Sequence, residues 1–269
     1  MVKNKKVKKV AIVSGASSGI GMEIANLFLS KGFEVYGLGQ RELTGVSFNY
    51  ERVNICNLDE CQKLVDMVIK KHGKVDVLVN NAGMGISGPI ELVNVDEAKK
   101  LFDVNFFGAV NLTKCVLPSM RENNSGRIIN VSSVASFIPI PFQVFYSASK
   151  SAFDIFASGL RSEVKPFNIK VVNVHPGDVK TGFTSARKKD ELESSNPYAK
   201  NYNSAIGAME KDEQNGMPAS KVAKVVFKMS YKKCLKKTNV VGGKYKLMCF
   251  ALNLFNPKLK EAIVRKFYF

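Results

Sequence analysis

The chain has 269 residues, 45% of them hydrophobic and 23% charged, which is typical of a soluble globular protein with a large core. It has no apolar run near the roughly 18 residues that a membrane-spanning helix needs, and the basic start is followed only by the apolar run 10–13, too short for a signal peptide. Five scattered cysteines without a Cys-x-x-Cys pair, together with two histidines, argue against a disulfide framework or a metal site and favour a reducing, cytoplasmic setting.

The net charge of +17 is concentrated at the two ends of the chain. Residues 1–10 carry five lysines and no acid, residues 221–269 carry thirteen Lys or Arg against one acid, and the body between is neutral. A nucleic-acid binder would place a basic face on its body, so we expect no nucleic-acid partner. The basic ends are either solvated lysines or contacts to an anionic surface such as lipid.

Apolar strand patterns alternate with helical ones along the chain. Strands are predicted at 7–14, 33–38, within 46–55, 75–79, 127–131, 169–174 and 239–241, and helices at 20–30, 59–71, 95–121, 144–165 and 218–231. The strands are apolar on both faces, which predicts an α/β fold: a three-layer, doubly wound parallel sheet of about seven strands with helices on both faces. No linker divides residues 1–269, so we predict a single domain.

Two stretches near the C-terminus depart from this alternation. Residues 182–217 are polar and rich in turn residues, and they are predicted to be an irregular insertion that forms a substrate-binding lid. Residues 244–269 are apolar and basic, with Leu259, Ala262, Ile263 and Phe267 on one helical face. Such a segment can lie on a membrane surface, cap a pocket or dock on another subunit, and the pattern leaves these alternatives open.

A glycine-rich turn joins the first predicted strand to the first helix. Its glycines permit a tight turn, and the helix N-terminus behind them suits the pyrophosphate of a dinucleotide. The loop residues expected to contact the nucleotide are Gly15, Ser17, Ser18, Gly19, Ile20 and Gly21. The end of the second strand lacks the acid that would bind a ribose 2′-hydroxyl, whereas Arg41 is placed to meet a 2′-phosphate. The sequence therefore favours NADP over NAD, unless Arg41 is only a solvated charge.

Tyr146 and Lys150 stand four residues apart at the start of a predicted helix, where they share a face. A tyrosine with its usual pKa of about 10 is a poor acid–base group at neutral pH. A neighbouring ammonium and an oxidised nicotinamide would stabilise the phenolate and lower that pKa. Ser133 follows the strand at 127–131, at the edge where sites form in parallel sheets, and it could hold a carbonyl oxygen beside Tyr146.

With these motifs in order and at the right spacing, the chain resembles the single-domain short-chain dehydrogenases/reductases. The motifs that carry the resemblance are Ser14–Gly21, Asn80–Gly83, Asn105, Ser133, Tyr146, Lys150, His175–Gly177 and Thr181. The resemblance implies a Rossmann fold. It also implies that Tyr146 is the general acid/base, that Lys150 holds the nicotinamide ribose and lowers the pKa of Tyr146, and that Ser133 orients the substrate oxygen. Asn105 would support a water relay to Lys150.

The resemblance extends to the other cofactor contacts. Asn81, Ala82 and Gly83 would pack against the cofactor. Pro176, Gly177, Val179 and Thr181 would line the nicotinamide carboxamide. Asn54 stands where the family usually has an Asp against the adenine. His175 replaces a frequent Asn, and we interpret it as structural, since too few ligands surround it for a metal.

Apolar residues surround the expected position of the nicotinamide, among them Met84, Phe142 and Phe183. Such walls suit an apolar ligand with few polar groups. The branch that the chain resembles includes 17β-hydroxysteroid, retinol and acyl-dihydroxyacetone-phosphate reductases. We therefore expect an NADP(H)-dependent oxidoreductase that interconverts an alcohol and a carbonyl on a steroid, retinoid or other lipid.

Other functions remain open at this point. They are a 3-oxoacyl thioester reductase, a sugar-alcohol enzyme, a non-catalytic NADPH sensor and a membrane-surface scaffold. The filled catalytic positions count against the sensor. The resemblance further implies a homodimer or homotetramer through the long helices around Leu101 and Phe153, and the basic C-terminus suggests peripheral membrane contact.

Overall fold

A computed structural model describes residues 8–254 and Ala262. Its strands are β1 (Val10–Ser14), β2 (Glu34–Gly39), β3 (Asn49–Arg52), β4 (Val77–Asn80), β5 (Ile86–Ser87), β6 (Gly126–Val131), β7 (Ile169–Pro176), β8 (Val179–Lys180), β9 (Lys188–Lys189), β10 (Met217–Pro218) and β11 (Thr238–Val241). Its helices are α1 (Gly19–Ser30), α2 (Leu58–His72), α3 (Val95–Phe102), α4 (Gly108–Glu122), α5 (Val144–Glu163), α6 (Phe183–Ala186), α7 (Ala199–Gln214), α8 (Ala219–Tyr231) and α9 (Gly243–Leu254).

Seven of the strands form one parallel sheet in the order β11-β7-β6-β4-β1-β2-β3. Strand order reverses between β1 and β4, so the chain leaves these two neighbouring strands in opposite directions along the sheet. Ligands of such sheets bind in the crevice that this reversal opens at the carboxyl ends of the strands. The predicted α/β fold, with its doubly wound sheet and about seven strands, is confirmed.

Strand β1 shows how the sequence produces two cores. All five of its residues are buried, and successive side chains point to opposite faces. Ile12 packs into one cluster with Leu112 of α4, while Val13 packs into another with Phe28 of α1. Helices α2, α4 and α5 therefore cover one face of the sheet, and α1 and α8 cover the other.

The single helix predicted over 95–121 is interrupted. Residues Asp103–Phe107 form a π-helical turn between α3 and α4, and Asn105 lies buried in it. Such turns insert an extra residue into a helix and frequently occur at functional sites. The apolar periodicity predicted both helices but could not show the wider turn between them.

The stretch 182–217 is more regular than predicted. It contains α6 and the sixteen-residue helix α7. Tyr202, Ile206 and Met209 form a buried stripe on α7 and pack with Ile140 and Phe142. The helical spacing of these three residues is a signal that the polar composition obscured.

The C-terminal part of the fold is described only as far as α9. The apolar face predicted at Leu259, Ile263 and Phe267 lies outside the described residues. Among the described helices, none has the length and apolar character to cross a bilayer.

Replacing Leu112 by alanine tests the packing of the α4 face. Leu112 is completely buried, so Leu112→Ala should lower the free energy of unfolding by about 2–5 kcal/mol. Chemical denaturation followed by circular dichroism measures the change, with Leu92→Ala, at a 43% exposed position, as the control. A loss no larger than that of the control would contradict the assigned core.

Candidate active site

The glycine-rich loop lies against the end of β4. Gly15 and Gly19 have φ angles of +68° and +54°, which side-chain-bearing residues rarely adopt. A Cβ atom on Gly15 would lie 2.8 Å from Cα of Ala82, and one on Gly21 would lie 2.1 Å from the carbonyl oxygen of Gly15. The loop is therefore closed tightly, and only glycine fits these positions.

The N-terminus of α1 is open to an anion. Ser18 is its N-cap residue and makes no capping hydrogen bond through its side chain to the described residues. The first N–H groups of a helix need acceptors, and the helix dipole favours a negative one. The loop and helix N-terminus thus fit the pyrophosphate of a dinucleotide, as the residues Ser17 to Gly21 predict.

Ser14 ties the glycine-rich loop to the motif at residues 80–83. Its hydroxyl accepts hydrogen bonds from the backbone N–H groups of Asn81 at 3.0 Å and Ala82 at 3.1 Å. The Asn81 side chain donates back to the carbonyl oxygens of Ser14 at 3.0 Å and Gly15 at 3.3 Å. These bonds make β1 and β4 one rigid floor beneath the crevice.

A basic cluster stands at the carboxyl end of β2. Arg41 is exposed there, and its carbonyl oxygen accepts a 2.7 Å hydrogen bond from the Tyr50 hydroxyl. Gln40 donates to the side chain of Asn54 at 2.9 Å, and Arg52 pairs with Glu42 at 3.1 Å. Sequence reasoning missed Tyr50 and Arg52, which reach the cluster from β3 because β2 and β3 are neighbours in the sheet.

Helix α5 brings Tyr146 and Lys150 to the carboxyl end of β6. The Lys150 ammonium lies 5.8 Å from the centre of the Tyr146 ring and donates to the carbonyl oxygen of Val131 at 3.2 Å. Ser133 follows β6, where its hydroxyl hydrogen-bonds with Tyr146 and accepts from the backbone N–H of Ala135 at 3.1 Å. The three side chains predicted to act together do converge.

Burial dominates the ionisation of Tyr146 and Lys150 in the protein without a cofactor. It raises the pKa of Tyr146 to about 12, although the hydrogen bond with Ser133 opposes the shift. It lowers the pKa of Lys150 to about 8, although the carboxylate of Asp154 opposes that shift. The resemblance implied that Lys150 lowers the pKa of Tyr146. Without the positive charge of an oxidised nicotinamide, burial outweighs any such effect.

Asn105 anchors the loop that follows β4. Its side chain donates to the carbonyl oxygen of Met84 at 3.0 Å and to the hydroxyl of Ser149 at 3.1 Å. Its amide oxygen accepts from the backbone N–H of Met84 at 2.8 Å. A Cβ atom on Gly83 would stand 3.6 Å from the Lys150 ammonium, so this anchored loop lies directly beside Lys150.

A row of buried amides leads across the sheet to Asp154. Asn80 donates to Asn130 at 3.0 Å, Asn130 to Asn173 at 3.0 Å, and Asn173 to the Asp154 carboxylate at 2.8 Å. The second oxygen of Asp154 lies 2.8 Å from Nε2 of His175. His175 is thus buried and held by a carboxylate. Asp154, which sequence reasoning missed, is fixed one helical turn after Lys150.

The loop after β7 forms another wall of the crevice. A Cβ atom on Gly19 would lie 3.3 Å from the side chain of Thr181, so the glycine-rich loop and this wall are in contact. Pro176 ends β7, and Val179 lies in the short strand β8. The Tyr245 ring of α9 covers Gly177 so closely that no side chain could replace its hydrogen.

Of the three apolar residues predicted to contact the substrate, two reach Tyr146. The Phe183 ring lies 5.8 Å from the Tyr146 ring, centre to centre, and Met84 packs in the same cluster as Tyr146. Phe142 instead packs against Tyr202 of α7, with ring centres 5.4 Å apart.

Within the described residues, no group of three or more His, Cys, Asp or Glu is placed to hold a metal.

The titration of Lys150 can be measured in the cofactor-free protein. In protein labelled with ¹³C-lysine, the Lys150 Cε resonance should titrate near pH 8. Asp154→Asn removes the carboxylate that favours the ammonium, so the midpoint should move to lower pH. Asp66→Asn, an exposed change on α2, is the control, and Lys150→Arg identifies the resonance. An unchanged midpoint in Asp154→Asn would show that Asp154 does not act on Lys150.

Comparisons with known proteins show the family of the chain. The profile of the short chain dehydrogenase family matches residues 9–192. A 3-ketodihydrosphingosine reductase of Bacteroides thetaiotaomicron is 39% identical over 227 residues, 84% of each chain. A short-chain dehydrogenase structure from Streptomyces avermitilis superimposes with a TM-score of 0.84 at 28% identity, over 95% of this chain and 96% of that one.

A serine dehydrogenase solved in complex with NADP⁺ also shares the fold, with a TM-score of 0.74 at 25% identity, over 86% of this chain and 94% of that one. The profile match covers more than half of the chain, and the reductase relative is aligned over most of both sequences. The chain belongs to the short-chain dehydrogenase/reductase family, oxidoreductases that act on CH–OH and carbonyl groups.

Proposed function

We propose that the protein is an NADP(H)-dependent reductase or dehydrogenase that interconverts a ketone and an alcohol on a lipid-like substrate. The convergence of Ser133, Tyr146 and Lys150 beside an open helix N-terminus is the observation that carries the proposal. The crevice offers a cradle for a dinucleotide on one side and an acid–base group on the other. The 3-ketodihydrosphingosine reductase relative supports a lipid ketone as the substrate class.

Each residue has a defined part in this reaction. When bound, the nicotinamide cofactor supplies or accepts the hydride at the carbonyl carbon. Ser133 and Tyr146 hold the substrate oxygen by hydrogen bonds. In reduction, the Tyr146 hydroxyl gives its proton to that oxygen, and in oxidation the phenolate takes the proton back. The Lys150 ammonium would hold the ribose of the cofactor, and it would stabilise the phenolate whenever Tyr146 is deprotonated.

The basic cluster at the end of β2 supports NADP rather than NAD. A ribose 2′-phosphate carries negative charge that Arg41 can pair with. Gln40 is held by Asn54, and Ser17 hydrogen-bonds with Tyr50, which also bonds the Arg41 carbonyl, so both would stand beside that phosphate. Proteins of this fold bind either cofactor, NADP⁺ in the serine dehydrogenase and NAD in a Burkholderia phymatum dehydrogenase, so the choice rests on Arg41. Glu42 lies next to the cluster, but Arg52 already pairs with it.

A homodimer or homotetramer through the long helices around Leu101 and Phe153 remains the proposed assembly. Leu101 and Phe153 are themselves buried within the chain, so exposed side chains around them would form the contact. Phe107 and Ile155, near them in sequence, are 51% and 75% exposed and apolar. If the protein forms a dimer, we infer that these side chains, on the same helical layer, form the contact.

The exchange Tyr146→Phe tests the acid–base assignment. Loss of the hydroxyl should lower kcat for reduction of 3-ketodihydrosphingosine by roughly a hundredfold to ten-thousandfold, because no other group replaces the proton donor. NADPH binding, followed by fluorescence, should stay within about twofold, since the ring remains. Tyr231→Phe, on the exposed end of α8, is the matched control. Near-normal turnover by Tyr146→Phe would refute the role.

Cofactor choice is tested by removing the charge at position 41. Arg41→Ala should lower the ratio of kcat/KM with NADPH to that with NADH by about ten- to a hundredfold, the value of a charge-assisted hydrogen bond. Arg121→Ala removes an exposed arginine at the end of α4 and should leave the ratio unchanged. A wild-type preference for NADH, or an unchanged ratio in Arg41→Ala, would overturn the assignment.

A further inference from the structure

A buried ion pair next to Tyr146 is not used by the reaction described above. Only 1% of the Arg187 side chain is exposed, and its Nη2 atom contacts the carboxylate of Glu213. The other Glu213 oxygen accepts a 2.7 Å hydrogen bond from the Thr184 hydroxyl. The carboxylate is therefore held from two sides, and the guanidinium is held from one.

Two nitrogens of the Arg187 guanidinium remain without a partner. Nε and Nη1 are buried, and neither donates a hydrogen bond to any residue that the structure describes. Arginine carries only donors and stays charged at all relevant pH values. Buried polar groups in native proteins almost always have a hydrogen-bond partner. Two buried donors without one therefore point to an acceptor on a bound ligand.

The position of Arg187 indicates which ligand brings that group. Its guanidinium carbon lies 5.7 Å from the centre of the Phe183 ring, whose other neighbour is Tyr146 at 5.8 Å. A Cβ atom on Gly85 would stand 3.5 Å from the Arg187 side chain. The charges of Arg187 and Glu213 both act on the Tyr146 hydroxyl. By contrast, the glycine-rich loop, which we expect to hold the cofactor, contacts Ala82 and Thr181.

We propose that Arg187 binds an oxygen acceptor in the polar head group of the substrate, close to the carbonyl that is reduced. An ester or carboxylate oxygen, or the oxygen of a hydroxyl, can accept from Nε or Nη1. Glu213 neutralises the guanidinium, which makes a neutral acceptor as suitable as an anion. The substrate class is thus narrowed from an apolar ketone to a lipid ketone with an oxygen-bearing end. The inference rests on the reductase activity proposed above.

Three ketones of equal chain length test this inference with NADPH as reductant. They are 3-octadecanone without a head group, methyl 3-oxooctadecanoate with an acceptor-only head group, and 3-ketodihydrosphingosine with a hydroxyl and an amine. The wild-type protein should have a higher kcat/KM for the ester than for 3-octadecanone. In Arg187→Met the ratio of the two values should fall about tenfold, the equivalent of one lost hydrogen bond from a charged donor. Lys189→Met, at an exposed lysine paired with Glu210, should leave the ratio unchanged.

A second variant covers the case in which Arg187→Met does not fold because Glu213 is left unpaired. Arg187→Met combined with Glu213→Met removes both charges, and replacing a buried ion pair by apolar residues is often tolerated. This double variant should show the same fall in the ratio of kcat/KM for methyl 3-oxooctadecanoate to kcat/KM for 3-octadecanone.

The outcomes separate this inference from the proposed function. If the wild-type protein reduces none of the three ketones, the proposed reductase activity itself is refuted. An equal loss on all three ketones, or an unchanged ratio, overturns the role of Arg187 while the activity stands. A weaker affinity of Arg187→Met for NADPH, with an unchanged ratio, would show that the guanidinium serves the cofactor instead.

Discussion

Hydrogen bonds between buried amide groups connect the strands at the centre of this structure. Asn80, Asn130 and Asn173 stand side by side on β4, β6 and β7, in register, inside an otherwise apolar sheet. An unpaired amide there would cost about 1–3 kcal/mol, and a slip of one residue would turn each side chain to the other face. The row ends on Asp154, whose charge acts on Lys150. Strand register and the ionisation of the site are therefore parts of one network.

Buried charge is distributed in two groups around Tyr146. Lys150 and Asp154 lie on the side of α5, and Arg187 and Glu213 lie on the side of the segment after β8. Each group is close to neutral as a whole, which limits the cost of desolvation. Arg187 and Glu213 act on the ionisation of Tyr146, and Asp154 acts on that of Lys150.

The sequence was informative wherever one local pattern carries the structure. Apolar strand runs, the glycine-rich turn and the four-residue spacing of Tyr146 and Lys150 predicted the sheet, the cradle and the acid–base pair. Contacts between distant segments could not be read in this way. Arg187 meets Glu213 across 26 residues, and Tyr50 reaches the end of β2 only because β3 lies beside it. The π-helical turn around Asn105 escaped prediction because it leaves the apolar periodicity of α3 and α4 almost unchanged.

The cover over Gly177 has a consequence for the order in which the site is assembled. The Gly177 backbone N–H donates to Val241 of β11 at 3.2 Å, and the Tyr245 ring lies against its Cα. The Tyr245 hydroxyl also donates to the Asp178 carboxylate, where burial raises the pKa to about 6. Residues made late in synthesis thus complete the loop after β7, whereas the glycine-rich loop, the segment 80–83 and Tyr146 come from the first two thirds of the chain. During translation, the dinucleotide cradle can form long before the wall that faces it.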